Sequence, residues 1–266
     1  MAINKNSNGF TFFFAIALVV VFGASLSILK SSLKPIQDKN AAVKKKMDIL
    51  GAIKVESTRE NADVKFEELL KDSYVINAKG EKVADGPSAL DVDVKKDFRS
   101  KVSRKTKEFK GDPEGLQAAL EAESELYFPV FVFEQDGQDL TVVPMVGSGL
   151  WGPIWGFVSV EDDKKTIYGC KFDHKTETPG LGAEIKEDLF LDRFDPAKEA
   201  ASSRVLMPGS SKIFEVIKGG AAPTKENQVE GITGGTITSK GVEEMMNRTF
   251  SIYYKHFQTG TAQLNR

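Results

Sequence analysis

The chain has 266 residues, 41% of them hydrophobic, with 36 basic against 38 acidic side chains. That length holds one or two domains with a sizeable core, and a net charge of -2 gives no general attraction to nucleic acid. One cysteine, Cys170, and two histidines, His174 and His256, exclude an internal disulfide, an iron–sulfur cluster and any zinc-ligand spacing, so redox chemistry here requires an organic cofactor.

No charged residue stands between Lys5 and Lys30. Gly9 to Leu29 is a run of 21 residues broken only by Thr11, Ser25 and Ser27. At about 1.5 Å per residue it spans about 30 Å, the hydrocarbon thickness of a bilayer. The run is long for a signal peptide and the charge before it is thin, so residues 1–30 read as a retained anchor crossing the lipid bilayer through 9–29. Lys30, Lys34, Lys39 and Lys44 to Lys46 follow the span, and counted alone they place the following domain in the cytoplasm.

Residues 31–72 carry Val43, Met47, Leu50, Phe66, Leu69 and Leu70 at helical spacing among lysines, which predicts a helical stalk. A soluble domain is expected over 73–266. Residues 74–83 predict two short strands about an Ala-Lys-Gly turn, and 89–110 a charged, solvated helical stretch. From Tyr127 the pattern changes to strands. Residues 127–133 and 138–146 predict a hairpin about Gln135-Asp136-Gly137, and 154–160 and 166–172 another about Asp162-Asp163-Lys164. Helix signals return at 183–190 and strongly at 239–257. Strands followed by segregated helices predict an α+β fold.

Gly147-Ser148-Gly149-Leu150-Trp151-Gly152 matches the dinucleotide pattern G-x-G-x-x-G after a strand. That chemistry needs a helix N-terminus directly after the glycines, and here Pro153 and the strand-like IWGFVSV follow instead. Trp151 and Trp155 are better read as rigid surfaces for packing or for stacking on a planar ligand.

Two segments carry chemistry. Thr233-Gly234-Gly235-Thr236 lies just ahead of a helical run from Val242. Glycines let a backbone turn sharply and approach a ligand, and a helix N-terminus offers unpaired N–H groups that seat phosphate. Thr236, Thr238 and Ser239 supply hydroxyls, but spacing alone favours an ordinary loop with a threonine or serine N-cap. Glu177-Thr178-Pro179-Gly180-Leu181-Gly182, following His174, forms a rigid exposed turn at a strand end. No Ser-His-Asp order, carboxylate pair or metal motif can be assembled around it.

Taken together, the anchor, Met47-Asp48-Ile49-Leu50, the Gly147–Gly152 segment, Glu177–Gly182 and Thr233–Thr236 resemble the FMN-binding domain family over nearly the whole chain. Within it the resemblance is closest to the branch found in sodium-translocating NADH:quinone reductases. The homologous branch of Rnf-type ferredoxin:NAD oxidoreductases is the nearest rival, and a tethered assembly module without flavin is a second. The resemblance implies an FMN-binding region at about 127–258 and a phosphoester between FMN and the last threonine of a Ser/Thr-Gly-Ala-Thr pattern, here Thr236. It makes Thr233, Gly234 and Gly235 part of that site and places Glu177, Thr178 and Leu181 near the isoalloxazine ring, with Trp151 as a further shield. The family's upstream aspartate corresponds to Glu230 and its alanine to Gly235. The resemblance further implies electron relay between NADH and quinone coupled to sodium export, with other membrane subunits of a bacterial respiratory complex as partners. A flavin transferase would attach the cofactor on the periplasmic side of the inner membrane, against the lysine count.

Overall fold

A computed structural model of the chain describes residues 7–195, 204–210, 212–221 and 225–264. One helix, α1, runs from Asn8 to Ala52 with Pro35 inside it. Two units divide the chain, the first ending at Lys46 and the second running from Met47. The first unit contains an apolar stretch of mean hydropathy 2.6, none of it buried, long enough to cross a membrane. Phe13, Val19 and Ile28 are 71%, 73% and 68% exposed, which water tolerates poorly and a bilayer favours.

The second unit is an antiparallel meander of five strands: β1 (Leu70–Ile76), β2 (Phe128–Gln135), β3 (Gln138–Ser148), β4 (Pro153–Val160) and β5 (Ile167–His174), neighbouring in chain order. Asp136 (φ 53°) and Gly137 (φ 78°) make the tight turn between β2 and β3, a two-residue loop whose left-handed backbone matches strand twist. The continuous apolar run of β2 is explained by burial of both sheet faces. Val130 faces one cluster and Phe131 and Phe133 the other, as strand alternation requires. On the second face Ile49, Leu50 and Ile53 and Phe66 of α2 (Ala62–Leu69) pack against Phe131, Phe133 and Phe157, so residues 49–66 contribute core rather than only a solvated stalk.

Between β1 and β2 lie three short helices, α3 (Val94–Asp97), α4 (Ser103–Glu108) and α5 (Pro113–Glu121), with a π-helical turn over Phe98–Val102. The expected hairpin over 74–83 reduces to one bridge, Ile76 to Lys82, because the Asn77 side chain accepts from the Lys79 and Glu81 N–H groups and curls the chain into a turn. After β5 come a 3-10 turn (Gly182–Lys186) and α6 (Asp188–Leu191). A small parallel pair follows, β6 (Glu215–Ile217) with β7 (Gln228–Glu230).

The closing helix, α7 (Thr236–Leu264), covers the first sheet face through Val242, Met245, Met246, Phe250 and Tyr253. Tyr253 donates to the Pro129 carbonyl at 2.7 Å, satisfying its buried hydroxyl. Glycines set how closely α7 approaches β3. A Cβ on Gly241 would stand 2.2 Å from the Ser148 carbonyl oxygen, and one on Gly147 2.8 Å from Met245 Cβ. This contact fixes the first turn of α7 beside the end of β3.

Candidate functional site

The three glycine-bearing segments converge at the first turn of α7. Gly149 to Gly152 is the turn between β3 and β4, closed by the Gly149 N–H donating to the Gly152 carbonyl at 2.8 Å. It is a strand-to-strand reversal with no helix after it, which removes the dinucleotide-binding reading. Thr178-Pro179-Gly180-Leu181 is a tight turn with proline second and Gly180 at φ 77°, closed by the Leu181 N–H on the Thr178 carbonyl at 3.1 Å. Ile232-Thr233-Gly234-Gly235 is a third turn, with Gly234 at φ 77° and the Gly235 N–H donating to the Ile232 carbonyl at 3.0 Å.

Glu177 ties two of these segments to the helix. Its carboxylate accepts from the backbone N–H of Trp151 at 2.8 Å, of Gly152 at 3.2 Å and of Leu150 at 3.3 Å, and from the Thr238 hydroxyl at 2.5 Å. The residue is only 4% exposed. Burial opposes ionisation, but the Thr238 hydroxyl and the three N–H groups outweigh it and hold the carboxyl below the usual carboxylate range. A Cβ on Gly149 or Gly182 would fall within 2.6 Å of a Glu177 oxygen, so both glycines are needed for the carboxylate to fit. Thr176 adds a further tie, its hydroxyl donating to the Trp151 carbonyl at 3.0 Å.

The third segment is held by packing and by its own hydroxyls. A Cβ on Gly234 would meet Leu181 Cδ2 at 2.6 Å, which shows how closely the Thr178–Leu181 turn sits against it. Ser239, 3% exposed, accepts from the Ile232 N–H at 3.0 Å. Thr238 is 1% exposed and committed to Glu177. Thr233 is exposed in the turn ahead of the helix, and Thr236, the helix's first residue, is half-buried with no hydrogen-bond partner for its hydroxyl among the described residues. The strand entering the site is clamped by Arg193, which donates to the Glu230 and Gly231 carbonyls at 2.7 and 3.0 Å. Glu230 itself turns away, accepting from the N–H groups of Gly219, Gly220 and Ala221 at 2.6 to 2.8 Å.

All eight candidate residues, Thr233, Gly234, Gly235, Thr236, Glu177, Thr178, Leu181 and Trp151, thus lie on these three segments. Sequence reasoning missed three contributors: Arg193, Leu150 and Ile237. Leu150, Trp151, Leu181 and Ile237 are 50%, 67%, 42% and 58% exposed, an uncovered set of apolar side chains on the same segments. For Ile237 the signal was available, since an apolar residue on a helix's first turn fits no core pattern of α7. Arg193 had none, because its partners are backbone carbonyls 37 and 38 residues away. No grouping of His, Cys, Asp and Glu suited to a metal occurs among the described residues.

The fold and this site define an FMN-binding domain, and residues 149–251 match that family. Two NqrC homologues from Na(+)-translocating NADH-quinone reductases are similar along most of their length. That of Neisseria meningitidis is 30% identical over 239 residues, covering 86% of this chain and 87% of the relative. That of Haemophilus ducreyi is 28% identical, covering 93% and 91%. A crystal structure of the corresponding protein from Parabacteroides distasonis superposes with a TM-score of 0.66 at 37% identity, covering 84% of this chain and 96% of that one. The NqrC structure of Shewanella oneidensis shares the fold at a TM-score of 0.59 and 24% identity. The chain belongs to the NqrC family of the Na(+)-translocating NADH-quinone reductases.

Proposed function

We propose that this chain carries FMN as a phosphoester on the Thr236 hydroxyl and relays electrons inside a membrane-bound, sodium-exporting NADH–quinone reductase. One observation supports Thr236 above its neighbours. Of the hydroxyls from Thr233 to Ser239, Thr238 and Ser239 are buried and engaged, and Thr233 stands ahead of the helix. Only Thr236 combines partial exposure, a free hydroxyl among the described residues and a place at the start of a 29-residue helix. A phosphate on that oxygen meets the unpaired N–H groups and positive dipole end of α7.

The flavin, when bound, supplies the redox chemistry by taking up and passing on electrons. The chain's own residues position it. Leu181 and Trp151 offer apolar surface to an isoalloxazine ring, and the Thr178–Leu181 turn gives that surface a rigid base. Glu177 keeps the Trp151 turn fixed relative to Thr236 through Thr238. Relative to free FMN and threonine, the linkage loses one water, and its covalency removes dissociation of the cofactor during turnover.

The apolar span of α1 serves as a single-pass anchor in a bacterial inner membrane, with the unit from Met47 in the periplasm, where a flavin transferase attaches FMN. Long domains cross a membrane largely regardless of nearby lysines. The span holds no carboxylate between Gly9 and Leu29 to bind an ion, which supports assigning the sodium coupling to other subunits of the complex. The test is ultraviolet fluorescence of the denatured chain after expression with a flavin transferase, since only covalent flavin survives denaturation. The unaltered chain fluoresces and Thr236→Ala is dark. A dark unaltered chain, or a fluorescent alanine variant, contradicts the proposal.

A further inference from the structure

The charged stretch 89–110, without evident chemistry in the sequence, forms one wall of a cleft of about 740 Å³ whose other wall is the Ser148–Trp155 turn. Lys95, Lys96, Arg99, Lys107 and Lys175 line it against a single carboxylate, Asp93, which also caps α3 by accepting from the Lys96 N–H. The concentration of positive charge is local, because the whole chain carries a net charge of -2. It also reflects sorting within the stretch. Lys101 turns to Asp97 at 3.5 Å and Lys105 to Glu123, so these two cations are used internally. Lys96, Arg99, Lys107 and Lys175 are exposed and make no ion pair among the described residues. Trp151 and Trp155 form the aromatic wall, and the Lys95 ammonium lies 3.3 Å from the centre of the Trp155 ring. The π-helical turn Phe98–Val102 interrupts the basic segment and carries Arg99.

We propose that this cleft is the docking site for an acidic, protruding surface of an electron-transfer partner within the same complex, which rests on the flavin reading above. Its volume falls within the roughly 300–1,000 Å³ of small-molecule sites, but its chemistry does not fit one. A small anion is held by buried, pre-aimed donors, whereas Lys96, Arg99, Lys107 and Lys175 are exposed side chains on flexible stems and the Lys95 ammonium is turned onto the Trp155 ring. Exposed pairs are worth about 1 kcal/mol or less each, too little to retain a small ligand but additive in steering a multivalent acidic surface. Placement supports the same reading. Leu150 and Trp151 belong both to the cleft and to the turn that Glu177 binds to α7, so a partner seated here contacts the segment that supports the flavin.

The test uses the full-length chain in detergent and, as probe, the remaining reductase subunits purified from cells lacking it. Association is measured at about 0.1 M and about 1 M salt, where the Debye length falls from about 10 Å to about 3 Å. The triple variant Lys96→Glu, Arg99→Glu, Lys107→Glu is expected to bind about tenfold or more weakly at low salt and to converge on the unaltered chain at high salt. Equal binding at both salts overturns the proposal. So does a loss that persists at high salt, which marks a folding defect, or a failure of the unaltered chain to bind at either salt. Saturable quenching of tryptophan fluorescence by micromolar adenosine monophosphate, abolished in the same variant, also overturns it and reassigns the cleft to a small anion. Covalent flavin is read separately from denatured bands of the same samples, so a dark band with salt-dependent binding refutes the flavin reading and leaves the docking result standing.

Discussion

Glu177→Ala is the perturbation that most directly tests how the site is held together. Removing the carboxylate strips the partner from the Trp151 N–H at 2.8 Å and from the Thr238 hydroxyl, and from the longer contacts of Leu150 and Gly152 at 3.3 and 3.2 Å. A hydrogen bond to a charged group contributes about 1.5–3 kcal/mol, so the two short bonds give a gross loss of about 3–6 kcal/mol. Leu150 and Trp151 are 50% and 67% exposed, and water reaching that turn offsets part of the loss. The expected net destabilisation is therefore about 3 kcal/mol, or roughly 6–12 °C in Tm for a unit of this size. The assay is thermal unfolding of the full chain in detergent, followed by near-ultraviolet circular dichroism of the two tryptophans. The pH dependence carries the sign. Because the folded carboxyl is held below its usual range, its contribution is complete above the ordinary glutamate pKa of about 4.3 and is lost as pH falls through the folded value. The difference between the proteins should be full at pH 7 and shrink in acid below about pH 4. An alanine variant within about 0.5 kcal/mol of the unaltered chain at pH 7, the scatter of ordinary surface changes, would refute the clasp.

Further expectations follow from the same geometry. Gly234→Ala places a side chain at φ 77° and 2.6 Å from Leu181 Cδ2, and should cost about 1–2 kcal/mol from the backbone alone while changing the flavin absorption spectrum; unchanged stability and spectrum would contradict it. Gly235→Ala has no left-handed backbone, but its Cβ would meet Ile232 Cγ2 at 3.0 Å and the Leu181 carbonyl oxygen at 3.2 Å, so a modest loss of about 1 kcal/mol is expected with flavin attachment retained; loss of the fluorescent band would show that Gly235 is required. Leu181→Ala should leave covalent flavin in place and shift its spectrum or potential, measured by redox titration, and an unmoved potential would reduce the Thr178–Leu181 turn to scaffolding. Alkaline phosphatase fused after residue 100 should be active, and activity from a cytoplasmic reporter at the same point would defeat the periplasmic placement.

Much of this arrangement was legible in local sequence because local physics decides it. The Asp136-Gly137 turn, the aromatic and β-branched run of Phe128–Phe133 and the glycine turn ahead of α7 each satisfy a short-range rule, and the structure forms them there. What the sequence concealed depends on distant partners. Glu177 reads locally as part of a proline–glycine turn, but its structural work is done with Leu150–Gly152, some 25 residues earlier, and with Thr238, 61 residues later. The parallel pair β6–β7 has three residues per strand, too few for a periodic signal, and the outer side of β6 is tied to a distant element, Glu243 of α7 accepting from the Val216 N–H. Residues 49–66 looked like a continuing stalk because a helix stripe and a buried helix share one pattern, and only the apolar second face of the sheet distinguishes them. Helix α5 has a local signal of its own: Asp112-Pro113 is a helix-start pair, and the Asp112 side chain accepts from the Gly115 N–H.

The central claim is the bond at Thr236, and peptide mass spectrometry measures it directly. Full cleavage by trypsin of the chain isolated with its flavin should release Glu226–Lys240, which contains Thr233, Thr236, Thr238 and Ser239. The account predicts that this peptide is heavier by one FMN less one water, with fragmentation placing the addition on Thr236. An unmodified peptide, or an addition on Thr233, Thr238 or Ser239, would contradict it.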